Sequence, residues 1–286
     1  MTLSSVSSTL SRRPGFRLGL LLAAPLTWLV LVYVVALAAL LVTAFWTIDS
    51  FTNELERTFT LDNIREITGQ ALYRTVTLRT IGVALLVTLI DCAIALPVGF
   101  YMAKVASRRS RHLLVIAFLT PLWASYLVKA LAWRSLLSNG GLLDWAGGLV
   151  GLGSPGFGLT AIVLTQAYIW LPYVILPVYA AYERVPDSLL DAAGDLGARP
   201  ALAFRTVVLP LVVPGLVAGS IFSFSLTMGD YITVNIVGGA NQMLGNLVFI
   251  NSGSNLPLAA AIALIPIVVI MIYLALVRRT GALENL

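Results

Sequence analysis

Residues 191–198 have the sequence DAAGDLGA, a polar stretch that separates two long apolar segments of the chain. Pro186 precedes this stretch and suits the start of a helix, because the first helical N–H groups have no intrahelical acceptor. Gly197 suits the end of that helix, where the backbone often adopts a left-handed conformation. Between them, apolar side chains recur at spacings of three and four: Leu189, Leu190, Ala193 and Leu196. The pattern predicts a short amphipathic helix between two apolar segments.

A second face of this predicted helix is acidic. Asp187, Asp191 and Asp195 lie four residues apart, and like charges at that spacing mildly destabilise an isolated helix. We therefore expect a partner to compensate these charges. Asp187 and Ser188 are also placed to accept hydrogen bonds from the N–H groups of the first turn. A plain connector is the alternative, but a connector does not need a helix with a defined start and a glycine stop.

The composition indicates a membrane protein. Of the 286 residues, 59% are hydrophobic and 11% are charged, whereas soluble domains carry about 25% charged residues. The net charge of +5 does not indicate nucleic-acid binding, because in such a chain the location of basic residues matters more than their sum. The single cysteine, Cys92, excludes an internal disulfide, and the single histidine, His112, does not suffice for a metal site. The first apolar run is too long for a signal-peptide core, so we interpret it as a spanning helix.

Six apolar segments are long enough to cross the hydrocarbon core of a bilayer, which takes about 20 residues of helix. They lie at roughly 18–46, 77–103, 113–137, 159–181, 207–228 and 257–277. Helices are expected because the hydrocarbon core offers no hydrogen-bond partner to an unpaired backbone group. The predicted fold class is an all-α polytopic membrane protein with six transmembrane helices.

Lysine and arginine are distributed unevenly between the two sides of the membrane. The termini and the loops after the second and fourth spans carry most of them: Arg12, Arg13, Arg17, Lys104, Arg108, Arg109, Arg111, Arg184, Arg199, Arg205, Arg278 and Arg279. The opposite loops carry Arg57 and Arg65, with Arg74 and Arg79 near the start of the second span. Because cytoplasmic loops are enriched in basic residues, we expect both termini and residues 191–198 in the cytoplasm.

The stretch at 191–198 resembles the EAA loop of bacterial ABC-transporter permeases, with Asp191 in place of the usual Glu. The spacing also matches at Ala192, Ala193, Gly197, Phe204, Leu209 and Pro210. Other runs are similar to the PotB-type branch, which is associated with spermidine and putrescine uptake: TPLW at 120–123, AWRSLL at 132–137, NGGLL at 139–143, GDY at 229–231 and GGA at 238–240. The resemblance covers roughly residues 72–278 and implies the type I importer, or MetI-like, permease fold.

This resemblance implies a permease subunit of an ATP-binding-cassette importer, which forms half of the pathway for a small solute. The expected solute is a polyamine such as spermidine or putrescine, or a related small solute. Its expected partners are a cytoplasmic ATPase dimer, a second and non-identical permease, an extracytoplasmic binding protein and the lipid of a bacterial inner membrane, with no nucleic acid. The chain is not expected to be an enzyme or to bind a cofactor. ATP and Mg²⁺ would be used by the ATPase, since this sequence has no phosphate-binding loop.

The resemblance also implies a division of the chain and a role for the acidic loop. Residues 1–71 would hold the cytoplasmic N-terminus, the first span and an external loop; residues 72–278 would be the ABC type-1 transmembrane domain; residues 279–286 would be a cytoplasmic tail. A coupling helix at about 185–199 would contact the ATPase. Its expected contact residues are Asp187, Leu190, Asp191, Ala192, Ala193, Asp195, Leu196, Gly197, Ala198 and Arg199.

Ionisable residues inside the predicted spans require an explanation, because a charge at a span centre costs roughly 2.5–3.5 kcal/mol. Asp91 lies near the middle of the second span, and Lys129 and Arg134 lie in the outer half of the third. An ion pair between Asp91 and Lys129 is one hypothesis, and a role in the translocation path is another. A contact with lipid headgroups or a loop is a further interpretation of Arg134.

Aromatic residues on the third span recur at helical spacing, which is typical either of packing or of a ligand-facing stripe. Asp230, with Tyr231 beside it, lies at the outer end of the fifth span and could attract a cationic solute. The candidate translocation-path residues are Asp91, Trp123, Tyr126, Lys129, Trp133, Asp230 and Tyr231.

An ion-coupled secondary transporter is the alternative function. It would require a relay of intramembrane carboxylates, for which Asp91 alone is poorly suited. A membrane-embedded enzyme is not expected, because the apolar segments contain no nucleophile paired with a base.

Overall fold

The computed structural model describes residues 14–49, 52, 54–149, 151 and 153–279. The N-terminal Arg12 and Arg13 and nearly all of the predicted tail, 279–286, lie outside these residues. Apart from one small hairpin, the described chain is helical, as the sequence predicts.

The N-terminal half begins with three consecutive helical segments: α1 (Pro14–Leu29), the π-helix π1 (Val30–Val35) and α2 (Ala36–Thr43). A hairpin of β1 (Thr47–Ile48) and β2 (Leu55–Glu56) follows, with Thr47 opposite Glu56. The next elements are α3 (Asp62–Gly69), α4 (Ala71–Phe100), π2 (Tyr101–Val105), α5 (Arg108–Trp123), α6 (Tyr126–Leu137) and α7 (Leu142–Gly148).

The C-terminal half contains the loop that follows the fourth predicted span. Its elements are α8 (Leu159–Glu183), α9 (Asp187–Asp195), α10 (Pro200–Ala203), π3 (Phe204–Val208), α11 (Leu209–Gly229), α12 (Ile232–Val237), α13 (Leu244–Ser252) and α14 (Leu256–Arg279).

Five helical stretches of the described residues are long and apolar enough to cross a membrane: Leu21–Thr43, Ala71–Val105, Leu159–Glu183, Pro200–Gly229 and Leu256–Arg279. They correspond to the predicted spans at 18–46, 77–103, 159–181, 207–228 and 257–277. A sixth crossing is reached only if the bent pair at the third predicted span is counted as one.

The prediction of one continuous helix at 113–137 is wrong. The chain bends by 99° between Arg108–Trp123 and the helical residues that begin at Tyr126. Ala124 and Ser125 adopt extended backbone, with ψ of 139° and 137°. Pro121 lies inside α5, two residues before its end.

Polar side chains in the segments between the long helices bond to backbone groups. Asn63 donates from Nδ2 to the carbonyl oxygens of Ala44, at 2.9 Å, and Trp46, at 2.8 Å, and so ties α3 to the end of the first span. Asp144 accepts the N–H groups of Gly140 and Ser154, each at 2.9 Å. Both bonds favour the charged carboxylate and lower the pKa of Asp144 below its usual value.

The centre of the bundle is formed by α4, α8 and α11, which pack against one another along their lengths. Gly215 and Gly219, four residues apart on α11, allow its backbone to approach α8. A Cβ atom at Gly215 would lie 2.6 Å from the Ala181 Cβ, and one at Gly219 would lie 2.8 Å from the Val174 Cα. Small residues at this spacing permit close helix packing in lipid, where no hydrophobic driving force brings helices together.

We expect Gly219→Leu to destabilise the purified chain, because the added atoms must push α8 and α11 apart. Overpacking of this kind costs about 1–3 kcal/mol. Gly82→Leu is the matched control, since a Cβ at Gly82 on α4 meets nothing within 4 Å. Thermal unfolding in detergent measures the difference. Equal melting temperatures for the two variants would contradict the close α8–α11 contact.

Candidate functional site

The acidic loop forms a short helix with a well-defined end. α9 stops at Asp195, and Gly197 adopts φ of +79° two residues later. The Gly197 N–H donates to the Gly194 carbonyl oxygen at 2.8 Å, and the Ala198 N–H donates to that of Ala193 at 3.0 Å. This pair of bonds is the Schellman arrangement, which satisfies the last carbonyl groups of a helix. The predicted glycine stop is confirmed.

The apolar side chains of α9 divide between the bundle and solvent. Ala193 is buried against the chain and Leu190 is half-buried, whereas Leu189 is exposed. Leu196, just past the end of the helix, is 89% exposed. The predicted apolar face is therefore only partly covered by this chain, and Leu196 stands out from its surface.

The start of α9 is held by an ion pair. The Lys104 ammonium, on π2, lies 2.6 Å from the Asp187 carboxylate and also donates to the Val185 carbonyl oxygen at 2.6 Å. The prediction that Asp187 and Ser188 cap the first turn is wrong, because no first-turn N–H bonds to either side chain among the described hydrogen bonds. Lys104 instead anchors the loop to the end of the second span.

The other two acidic residues of the loop remain exposed. Asp191 and Asp195 take part in none of the ion pairs found among the described residues. Beneath them, Phe204 packs edge-on against Phe100, with ring centroids 5.9 Å apart, and Phe100 packs likewise on Tyr182. The loop is thus a short helix packed near aromatic side chains, with the Asp191 and Asp195 carboxylates exposed.

A second polar cluster lies at the other end of α11. The Asp230 carboxylate accepts the Gln166 side-chain N–H at 2.8 Å and the Thr233 backbone N–H at 3.1 Å. The Tyr126 hydroxyl lies 2.6 Å from the Thr233 hydroxyl and also interacts with Asp230. Asp230 is almost fully buried within the chain. The cluster joins α6, α8, α11 and α12 around one carboxylate.

A cavity of about 320 Å³ opens beside this carboxylate. Its lining residues are Tyr126, Trp170, Ser225, Leu226, Gly229, Asp230, Tyr231 and Ile232. The rings of Tyr126 and Trp170 stack with centroids 5.5 Å apart. Three of the predicted path residues, Tyr126, Asp230 and Tyr231, therefore share one cavity.

Two residues of α8 were not predicted from the sequence: Gln166, which bonds to Asp230, and Trp170, which lines the cavity. They lie four residues apart in an apolar span and so share a helix face, which is a signal that could have identified them. Without the fold, neither residue could be paired with Asp230, which is 64 positions away from Gln166.

Other predicted path residues lie outside the cavity. Trp123 ends α5 and is 90% exposed, because the bend after it separates it from the aromatic residues of α6. Trp133 packs against Tyr168 with centroids 5.5 Å apart. Lys129 is half-buried on α6. A role of these residues in the path stays a prediction.

Asp91, on α4, is fully buried where this helix packs against α11. Its Oδ2 accepts the Ser223 hydroxyl at 2.6 Å, and its Oδ1 has no partner among the described residues. The hypothesis of an ion pair with Lys129 is wrong: α6, which carries Lys129, packs mainly on α7, α8 and α12. Asp91 lies outside the cavity as well, and its role in the path stays a prediction.

The family described as "binding-protein-dependent transport system inner membrane component" matches residues 95–281. The chain belongs to this family.

Relatives with curated names are permeases. The "Inner membrane ABC transporter permease protein YdcU" of Escherichia coli (strain K12) is 43% identical over 304 aligned residues, which cover 99% of this chain and 96% of that protein. The "Spermidine/putrescine transport system permease protein PotB" of Salmonella typhimurium (strain SL1344) is 30% identical over 266 residues, covering 90% and 91% of the two chains.

Solved structures share the fold. The bacterial ABC transporter for import of the polysaccharide alginate contains a chain with a TM-score of 0.72 and 14% identity, covering 96% of this chain and 99% of its own. The inward-facing methionine transporter MetNI contains one with a TM-score of 0.56 and 17% identity, covering 74% and 95%. The predicted type I permease fold is confirmed.

Membership of the family decides between the two functions considered from the sequence. The chain is a permease subunit of an ABC importer in the inner membrane, and it is a transmembrane subunit without enzymatic activity of its own. The alternative of an ion-coupled secondary transporter is therefore rejected.

We expect Asp91→Asn to unfold at the same temperature as the native chain or above it, because the amide still accepts the Ser223 hydroxyl without a charge to desolvate. Asp91→Ala should be less stable, since it leaves the Ser223 hydroxyl unpaired at a buried position, a loss of about 1–3 kcal/mol. Thermal unfolding of both variants in detergent tests this order. If Asp91→Asn were less stable than Asp91→Ala, the negative charge itself would be required for stability.

Proposed function

We propose that the chain forms half of the translocation pathway for a small cationic solute of the polyamine class. The observation that carries the proposal is the cavity in which the Asp230 carboxylate lies beside the rings of Tyr126, Trp170 and Tyr231. The 30% identity with the spermidine/putrescine permease, over 90% of this chain, supports the same class of solute.

The chemistry of the cavity suits an alkyl ammonium group. A carboxylate attracts the charge, aromatic faces attract cations by the cation–π interaction, and apolar walls accept methylene groups. The basic residues of the third predicted span do not oppose such a ligand. Neither Lys129 nor Arg134 lines the cavity, and the Arg134 guanidinium lies 5.8 Å from the centre of the Phe157 ring.

We further propose that α9 and the residues after it dock into a cytoplasmic ATPase subunit, which binds the ATP and Mg²⁺. Leu196 is exposed, and so are Asp191 and Asp195, which form no ion pair with another described residue; these features support this role. The proposed contact set is the one expected from the sequence: Asp187, Leu190, Asp191, Ala192, Ala193, Asp195, Leu196, Gly197, Ala198 and Arg199.

We also propose how the subunit assembles and how it is oriented in the membrane. A second, non-identical permease would complete the pathway, and an extracytoplasmic binding protein would deliver the solute. Both termini and α9 would face the cytoplasm, as the distribution of lysine and arginine indicates. Residues 72–278 would form the ABC type-1 transmembrane domain, and residues 1–71 would hold the cytoplasmic N-terminus, the first span and an external loop.

Asp230→Asn should reduce ATP-driven uptake of putrescine and spermidine by about tenfold or more, equivalent to about 1.4 kcal/mol, because it removes the charge but keeps an acceptor for Thr233. Proteoliposomes that contain the complete transporter and trapped ATP provide the measurement. Asp62→Asn is the control, since Asp62 is an exposed carboxylate paired with Arg65 outside the spans. Unchanged uptake by the Asp230 variant would contradict the proposed solute site.

Gly197→Val should weaken retention of the ATPase subunit and uptake together, whereas Gly197→Asn should preserve most of both. The backbone at Gly197 is left-handed, which costs about 1–2 kcal/mol for most residues, but asparagine tolerates it well. Co-purification of the ATPase and initial uptake rates give the two readouts. Equal behaviour of the Val and Asn variants would show that the helix stop does not position the loop.

A further inference from the structure

The start of α5 carries basic side chains that no acidic group of the described chain neutralises. Arg108, Arg109 and His112 are exposed, and none of them takes part in the ion pairs found among the described residues. The first turn of α5 also contains no acidic residue. Cations at this end of a helix oppose its dipole, so they do not stabilise the helix itself.

The two carboxylates that pair with basic residues of this region, Asp187 and Glu183, do not pair with Arg108 or Arg109. Asp187 pairs with Lys104. Glu183 accepts the Tyr179 hydroxyl and lies 3.7 Å from Arg111. The Arg111 guanidinium turns back to the preceding helix and donates to the carbonyl oxygens of Met102, at 3.0 Å, and Ala103, at 2.7 Å. An anion that neutralises Arg108 and Arg109 must therefore come from outside these contacts.

The rest of α5 presents apolar side chains on the same side as these basic groups. Leu113, Ile116, Leu119 and Trp123 are all exposed, and α5 has no buried residue. At about 100° per residue, the three basic and four apolar side chains fall within roughly 140° of one another around the helix. Arg111 points away from this face and toward the bundle.

The length of the apolar stripe fits one leaflet of a membrane. Leu113 and Trp123 are ten positions apart, which corresponds to about 15 Å along a helix axis. Half of a hydrocarbon core that is about 30 Å thick has the same depth. The bend at Ala124 and Ser125 then lies near the bilayer centre, and the basic residues lie at the level of the lipid phosphates.

We propose that this face of α5 binds an anionic phospholipid. The phosphate group contacts Arg108, Arg109 and His112, and the acyl chains run along Leu113, Ile116 and Trp123. Basic side chains next to a lipid-exposed helix attract anionic headgroups by about 1 kcal/mol each. The proposal depends neither on the transported solute nor on the docking of an ATPase.

Native mass spectrometry of the full-length chain tests the proposal. Equal amounts of dioleoyl phosphatidylglycerol and dioleoyl phosphatidylcholine are added before the chain is released from detergent. The native chain should retain phosphatidylglycerol preferentially. The double variant Arg108→Gln/Arg109→Gln should lower that preference by about fivefold for each arginine removed. Because both side chains are exposed, the variant should elute as the same folded species.

The matched control is Arg278→Gln/Arg279→Gln, which removes two adjacent exposed arginines from the last turn of α14. This control should keep the preference for phosphatidylglycerol. Equal losses in the two double variants would mean that only overall charge matters and would overturn the proposal. An unchanged preference in the Arg108/Arg109 variant would overturn it as well.

Two further measurements in the same experiment identify what this face of α5 binds. Leu113→Gln/Ile116→Gln should also reduce retention of phosphatidylglycerol, and glycerol 1-phosphate at the same concentration should not displace it. Displacement by this headgroup alone would indicate a phosphate site without a lipid and would overturn the proposal. The proposal would also be overturned if the Arg108/Arg109 variant lost a co-purifying protein but kept its lipid preference.

Discussion

The close approach of α8 and α11 at Gly215 and Gly219 is the contact on which both candidate sites depend. Membrane helices gain little from hydrophobic burial against one another, so the position of α11 must be fixed by backbone proximity and a few polar bonds. The acidic loop connects these two helices directly, through α9, α10 and π3. Their spacing therefore determines where the loop projects from the bundle.

One helix links the loop to the cavity. α11 begins after π3, close to the aromatic side chains beside the loop, and ends at Gly229, next to Asp230. Its 21 residues span about 30 Å. We propose that a displacement of the loop reaches the Asp230 cluster by movement of this helix, because the carboxylate is bonded to Gln166 on α8 and to Thr233 on α12. The energy for such a change must come from a partner that binds the two states unequally.

The sequence predicted those features that depend on local composition. The length of an apolar run predicts a membrane-spanning helix, and five of the predicted spans are present. A glycine after a helical pattern predicts a left-handed helix end, as found at Gly197. The break at Ala124 and Ser125 was missed because hydropathy is the same on both sides of a bend. The only local indication was Pro121, and proline is tolerated within membrane helices, as at Pro97 in α4.

Pairings between distant residues were harder to predict. Similar depth in the membrane suggested an ion pair between Asp91 and Lys129. The helices that carry them pack on different neighbours, and Asp91 instead accepts a hydrogen bond from Ser223. Lys104 with Asp187 and Gln166 with Asp230 were missed for the same reason, because depth does not specify which helices are adjacent. To predict contacts of this kind, one must know the order of the helices around the bundle.

We propose that force enters the chain through Leu196, at the exposed tip of the acidic loop. Site-specific cross-linking from Leu196→Cys, in a Cys92→Ser background that contains no other cysteine, tests it in intact membranes. We predict cross-links to the ATPase subunit whose yield changes when ATP is bound. Labelling of this cysteine by a membrane-impermeant reagent added from outside, without any cross-link to the ATPase, would contradict the account.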